Sequence, residues 1–177
     1  MIKGERPVRA YLIAAQMVLI LVLTPATGWA AERALSFAVS GVVADVKVQS
    51  GASVKKGDVL AALDLTPFQA KKRAADAAVK ASQVIFDLAD RRLAQVQELF
   101  DALSTSAENV ELAETTQANA KMSLENARAA QTVAAWQLGR ATLKAPFAGT
   151  VAVLPGYVGQ VVNLNAETVA VVVIDTP

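Results

Sequence analysis

"GVVADVKVQSGASVKKGDVLAALD", residues Gly41 to Asp64, decides the fold. Apolar and polar residues alternate along it, and Gly41, Gly51 and Gly57 punctuate it, the pattern of short strands joined by tight turns. Strands this short expose an apolar face that they cannot bury alone, so the rest of their sheet must lie elsewhere in the chain. The segment that follows immediately does not supply it.

From Pro67 to about Ala141 there is no glycine until Gly139 and no further proline, and the strong helix formers Ala, Leu, Gln, Glu, Lys and Arg dominate. Thr66-Pro67 is a helix-start signal, a capping hydroxyl followed by proline at the first helical position. Ala75, Val79, Ser82, Phe86, Ala89, Leu93, Val96, Phe100 and Leu103 step alternately by four and three residues. A second series, Val110, Ala113, Gln117, Ala120, Leu124, Ala127, Gln131, Ala134, Leu138 and Ala141, keeps the same step with two glutamines in it. A sustained repeat of 3.5 residues keeps one stripe of a helix against a partner helix. Between the series lies "LSTSAENVE" (103–111), where Ser104, Thr105 and Ser106 break the pattern and Glu108 suits the first turn of a new helix. These features predict an antiparallel hairpin whose arms, about 35 residues each, run roughly 50 Å. Two helices of an ordinary bundle are the alternative, but no other segment is helical enough to complete one.

The missing strands come after the hairpin, in "APFAGTVAVLPGYVGQVV" (145–162) and "TVAVVVID" (168–175). The two halves match. Gly41 and Gly51 are ten apart, as are Gly149 and Gly159; Val43 corresponds to Val151, Val54 to Val162, and the run into Asp64 to the run into Asp175. About three extra residues enter the second half near Asn165. Two such half-motifs should pair into one small sandwich.

The N-terminus reads differently. Lys3, Arg6 and Arg9 precede an apolar run from Ala10 to Leu23, then Pro25 and the small-residue pattern Gly28-Trp29-Ala30. That is the layout of a secretory signal peptide cleaved after Ala30; an uncleaved anchor would need a run closer to 20 residues. Its removal leaves 14 basic and 15 acidic residues, a net charge of −1 and no electrostatic footprint for nucleic acid. Histidine and cysteine are absent, which excludes imidazole acid–base chemistry, thiol nucleophiles and the usual zinc sites. Met122 is the one methionine after Ala30, too few for a thioether metal site. The expectations are no enzyme activity, no cofactor and no metal.

"SGVVADVKVQSGASVKKGDVLAALD" (40–64), the long hairpin and "LKAPFAGTVAVLPGYVGQVV" (143–162), in that order, resemble the periplasmic adaptor proteins, also called the membrane fusion or HlyD-like family, of bacterial efflux pumps and type I secretion systems. Ala145-Pro146-Phe147-x-Gly149 is similar to that family's "APFDG" signature. The resemblance implies an α+β fold, a lipoyl/biotinyl-like split β-sandwich with an inserted antiparallel coiled-coil α-hairpin. The organisation is a signal peptide (1–30), a first half-motif (31–65), the hairpin (66–141) and a second half-motif (142–177). Gly41, Gly51, Gly57, Gly149 and Gly159 are its fold glycines. Family members commonly continue into a β-barrel and a membrane-proximal domain, so the chain resembles either a short form or a truncated product.

In adaptors that dock onto TolC-like channels, the hairpin tip carries an arginine, a leucine four residues on and a serine seven further. Ser106 and Leu99 match; the arginine position falls on Gln95, with Arg91 and Arg92 close by but out of register. The resemblance thus implies a channel contact at Gln95, Leu99, Leu103, Ser104, Thr105 and Ser106. It also implies a homo-oligomeric ring in the periplasm, linking an inner-membrane transporter to an outer-membrane channel. Residue by residue, Leu99 could equally flank the seam and Ser106 cap a helix. Other readings are a periplasmic scaffold without a channel partner, or a biotinyl or lipoyl carrier subunit. Carriers show a modifiable lysine on a tight turn between the halves, whereas Lys144 lies on the run into a strand.

Overall fold

The computed structural model describes residues 31–165 and 170–176. The expected export segment, residues 1–30, lies outside them, as do residues 166–169 beside the expected extra residues near Asn165. The elements, in order, are β1 (Ala31–Leu35), β2 (Gly41–Val46), β3 (Ser53–Val54), β4 (Val59–Leu63), α1 (Thr66–Asp101), α2 (Ala107–Arg140), β5 (Thr142–Lys144), β6 (Gly149–Val153), β7 (Val161–Val162) and β8 (Val172–Thr176). The fold is α+β, a lipoyl-like sandwich with the hairpin inserted between β4 and β5.

The two half-motifs interleave. One sheet runs β1-β8-β6-β3 and the other β5-β4-β2-β7, each built from two strands of either half. Replacing every strand by its counterpart in the other half converts one order into the other. The register obeys the same exchange: Val43 pairs with Leu63 and Val151 with Ile174, and an irregularity follows at once in both strand pairs. The turns match too. Gly51 donates its N–H to the Val151 carbonyl at 2.7 Å, and Gly159 donates to the Val43 carbonyl at 2.8 Å, with φ of 83° and 91° at the two glycines. Neither half can fold its sheet without the other, because each sheet's central strand pair comes from one half and its edges from the other.

The core follows from that exchange. Phe37, Val43, Leu60 and Leu63 from the first half pack with Val151, Val171, Val172 and Ile174 from the second, all fully buried. Each such side chain contributes about 1.5–3 kcal/mol by leaving water, and no disulfide assists them. The equivalent glycines Gly41 and Gly149 sit where strands approach closely. A Cβ on Gly41 would meet the Leu63 side chain, and one on Gly149 would run into the Asp175 backbone oxygen and Ile174.

In the hairpin, Ala75, Ala89 and Val96 of α1 and Ala113, Ala120, Leu124 and Ala134 of α2 are buried, all on the expected seam. Two features depart from the sequence expectation. Thr66 is already helical: Leu65 occupies the cap position without a side-chain bond, and Asp64 Oδ1 accepts the Thr66 N–H at 2.9 Å instead. The seam also ends at Val96. Phe100, in the last turn of α1, is 42% exposed, and Leu103, past the helix end at Asp101, is 93% exposed. No helix among the described residues is long and apolar enough to cross a membrane.

Candidate functional site

The two polar residues interrupting the second seam series each have a partner. Gln117 Nε2 donates to Asp90 Oδ1 at 3.1 Å, and Gln131 Nε2 donates to Asp76 Oδ1 at 2.9 Å. Between them, Arg128 donates to Gln83 Oε1 at 3.0 Å. Asp76, Gln83 and Asp90 are one heptad apart, so the three crossed bonds zip one flank of the hairpin. The Asp76 carboxyl titrates below the usual carboxylate range, chiefly through its hydrogen bond from Lys72 and then through that from Gln131.

The opposite flank has no such bonds among the described residues and holds open grooves. One, of about 280 Å³, lies near the tip between Arg92, Val96 and Leu99 on one side and Thr105, Asn109 and Leu112 on the other. A second, further from the tip, is lined by Ile85, Leu88, Arg92, Asn119, Ala120 and Ser123 among others. Arg92 borders both.

At the tip, the chain leaves α1 through a helix-terminating turn. The Ser104 N–H donates to the Leu99 carbonyl at 2.8 Å and the Leu103 N–H to the Phe100 carbonyl at 2.9 Å. This paired bonding needs a left-handed residue between them, commonly glycine. Leu103 fills that place at φ 58°. A left-handed non-glycine residue costs about 1–2 kcal/mol, and here it also presents a large apolar side chain to solvent. The chain then enters α2 at Ser106, whose Oγ accepts the Asn109 N–H at 3.4 Å with Glu108 in the first turn. Thr105 Oγ1 accepts from Asn109 Nδ2 at 2.9 Å, and Ser104 Oγ donates to the Ala102 carbonyl at 3.2 Å.

Of the tip residues expected from sequence, Leu99 and Thr105 line one groove, Leu103 stands outermost, and Ser104 and Ser106 serve the turn and the cap. Gln95 is exposed on α1 outside that groove, but it accepts a hydrogen bond from Arg92 Nη1 at 2.9 Å. The guanidinium that is out of register in the sequence therefore lies against the Gln95 side chain. Asn109 and Leu112 were missed by sequence reasoning, and Arg92 was named there only as lying out of register. Their signal was the heptad spacing, since Arg92 is seven residues before Leu99 and shares its flank.

The remaining candidates are structural in their surroundings. Gly57, at φ 96°, donates to the Ala145 carbonyl at 2.8 Å. Lys144 ends β5 paired with Val59 in a strand, not on a turn. No group of three or more His, Cys, Asp or Glu placed to hold a metal occurs among the described residues.

Known proteins share this arrangement. A chimeric protein that joins MacA with the Pseudomonas aeruginosa MexA α-hairpin domain is 26% identical, with a TM-score of 0.62 over 82% of this chain and 48% of its own. The membrane fusion protein Spr0693 from Streptococcus pneumoniae is 22% identical, with a TM-score of 0.63 over 82% of this chain and 59% of its own. ZneB from Cupriavidus metallidurans is 20% identical, with a TM-score of 0.59 over 81% of this chain and 60% of its own. The chain thus spans about half the length of the structures it resembles. Residues 34–175, both half-motifs and the hairpin between them, match the barrel-sandwich hybrid domain of RND membrane fusion proteins, and the chain belongs to that family.

Proposed function

We propose that the chain is a periplasmic adaptor subunit of an efflux or secretion system, linking an inner-membrane transporter to an outer-membrane channel through its hairpin tip. It does no chemistry of its own, and the partner pump drives transport. One observation carries the reading: Leu103, on a left-handed backbone and 93% exposed, crowns the tip of a long hairpin. A fold retains strain and an exposed apolar side chain together most readily where a partner covers them. Leu99, about one turn before it, and Arg92, about three turns before it beside Gln95, add an apolar group and a cation.

Cysteine is absent from the chain, so Leu103→Cys introduces a single reactive thiol. Cross-linking from that thiol in intact cells should yield an adduct with an outer-membrane protein. Adducts confined to periplasmic proteins would support a scaffold without a channel partner instead.

A further inference from the structure

The two flanks of the hairpin differ in charge. On the zipped flank, at the heptad positions of Asp87 and Asp90 on α1 and of Glu111 and Glu114 on α2, seven carboxylates between Asp76 and Gly139 face three cations, Lys80, Lys121 and Arg128. On the grooved flank, at the positions of Ile85 and Leu88 and of Asn109 and Leu112, Arg92 is the one charged residue from Ala78 to Gln137. Its hydrogen-bond partner is the neutral Gln95, and among the described residues no carboxylate lies within ion-pairing distance of it. Ile85, Leu88 and Leu112 on this flank are 57%, 62% and 65% exposed. On the zipped flank Asp87, Asp90, Glu111 and Glu114 likewise lack a cation among the described residues.

We propose that the grooved flank seats the zipped, acidic flank of a second copy of this chain, with Arg92 meeting Asp90 and Glu114 of the partner subunit. Height along the hairpin supports the pairing. The bonds from Gln131 to Asp76 and from Gln117 to Asp90 fix a register in which Glu114 lies level with Leu93. Arg92, Asp90 and Glu114 therefore sit within about one helical turn, roughly 5 Å, of the same height. Copies related by rotation about an axis parallel to the hairpins keep their heights, so a cation without a carboxylate meets carboxylates without a cation. Two grooved flanks facing each other would set Arg92 against a surface with no carboxylate. Contact between unlike flanks is heterologous, and such contacts repeat around a closed ring. The proposal rests on the adaptor reading for its side-by-side setting; the choice of faces comes from charge and exposure.

The test uses full chains in cells. Two distinguishable copies are produced together, one carrying Leu88→Cys and the other Asp87→Cys, and then oxidised. The expected result is a disulfide between the unlike copies and none when either variant is produced alone. Arg92→Glu should abolish it, and adding Asp90→Arg and Glu114→Arg to the same chain should restore it. Disulfides between two Leu88→Cys copies, or no rescue by charge reversal, would overturn the pairing. No disulfide in any combination would also overturn it, and the Leu103→Cys adduct, if still present, would show that the adaptor reading survives that failure.

Discussion

Gln131 of α2 donates to Asp76 of α1 at 2.9 Å, and Lys72 reaches the other oxygen of the same carboxylate at 2.7 Å. One carboxylate thus joins a charged pair along a helix to a hydrogen bond between helices. Both interactions favour the ionised form, and both weaken when the carboxyl takes up a proton. Asp64 at the start of α1 behaves alike, its carboxyl held low first by the Thr66 backbone N–H and then by the Thr66 side chain.

Hairpin stability should therefore depend on pH with a definite sign. A carboxyl titrating lower in the folded than in the unfolded chain adds stability above its unfolded value, near 3.9, and loses it as pH falls through the folded value. Thermal melting followed by helical circular dichroism should fall as pH drops below about 4. The double variant Asp64→Asn, Asp76→Asn should show a shallower fall; an unchanged slope would remove these carboxyls from the account.

The equivalent glycines should respond unequally to one methyl group. Gly149→Ala forces a Cβ against the Asp175 backbone and the Ile174 methyl at 2.6 Å, and a strand cannot easily move aside. A loss of about 2–4 kcal/mol is expected, at or above the usual range for overpacking. Gly41→Ala meets the far end of the Leu63 side chain at 3.0 Å, which has to give by only a few tenths of an ångström. Its cost should be about 1 kcal/mol or less, and denaturant unfolding of both variants checks the difference.

Leu103→Gly separates strain from function. Glycine adopts the left-handed conformation freely but is more flexible unfolded, so stability should stay level or rise by up to about 1 kcal/mol. Export measured in cells should fall. A variant that is less stable, or that exports normally, would contradict the role given to this residue.

Ser106→Ala should cost about 0.5–1 kcal/mol, the low end of the range for a helix cap, because its bond to Asn109 is long. Arg92→Ala, at an exposed site with one neutral hydrogen-bond partner, should stay within about 0.5 kcal/mol while weakening association between copies. Comparing sedimentation with melting temperature distinguishes the two residues, one holding the turn and the other serving the surface.

The order of residues along the chain was enough to locate the seam, because a repeat of 3.5 is a local property of helical geometry. Ala75, Ala89, Ala113, Ala120 and Ala134 are buried where the spacing put them. It was likewise enough to match Val43 with Val151, since both halves repeat one strand pattern. The end of the seam was not legible. Phe100 and Leu103 continue the period, but α1 ends at Asp101 and α2 begins only at Ala107, so the paired stretch stops where they stand.

What the residue order left open depends on groups far apart in the chain. Periodicity shows that each half needs a partner, yet it does not say whether the halves lie side by side or exchange strands. The pairing of β1 with β8 and of β3 with β6 selects exchange. Nor does spacing alone bring a cation to Gln95; the Arg92 side chain reaches it along one turn of helix. The division of the hairpin into a zipped acidic flank and an open neutral one follows from the antiparallel docking of α1 on α2, which gathers the carboxylates of both helices on the same side.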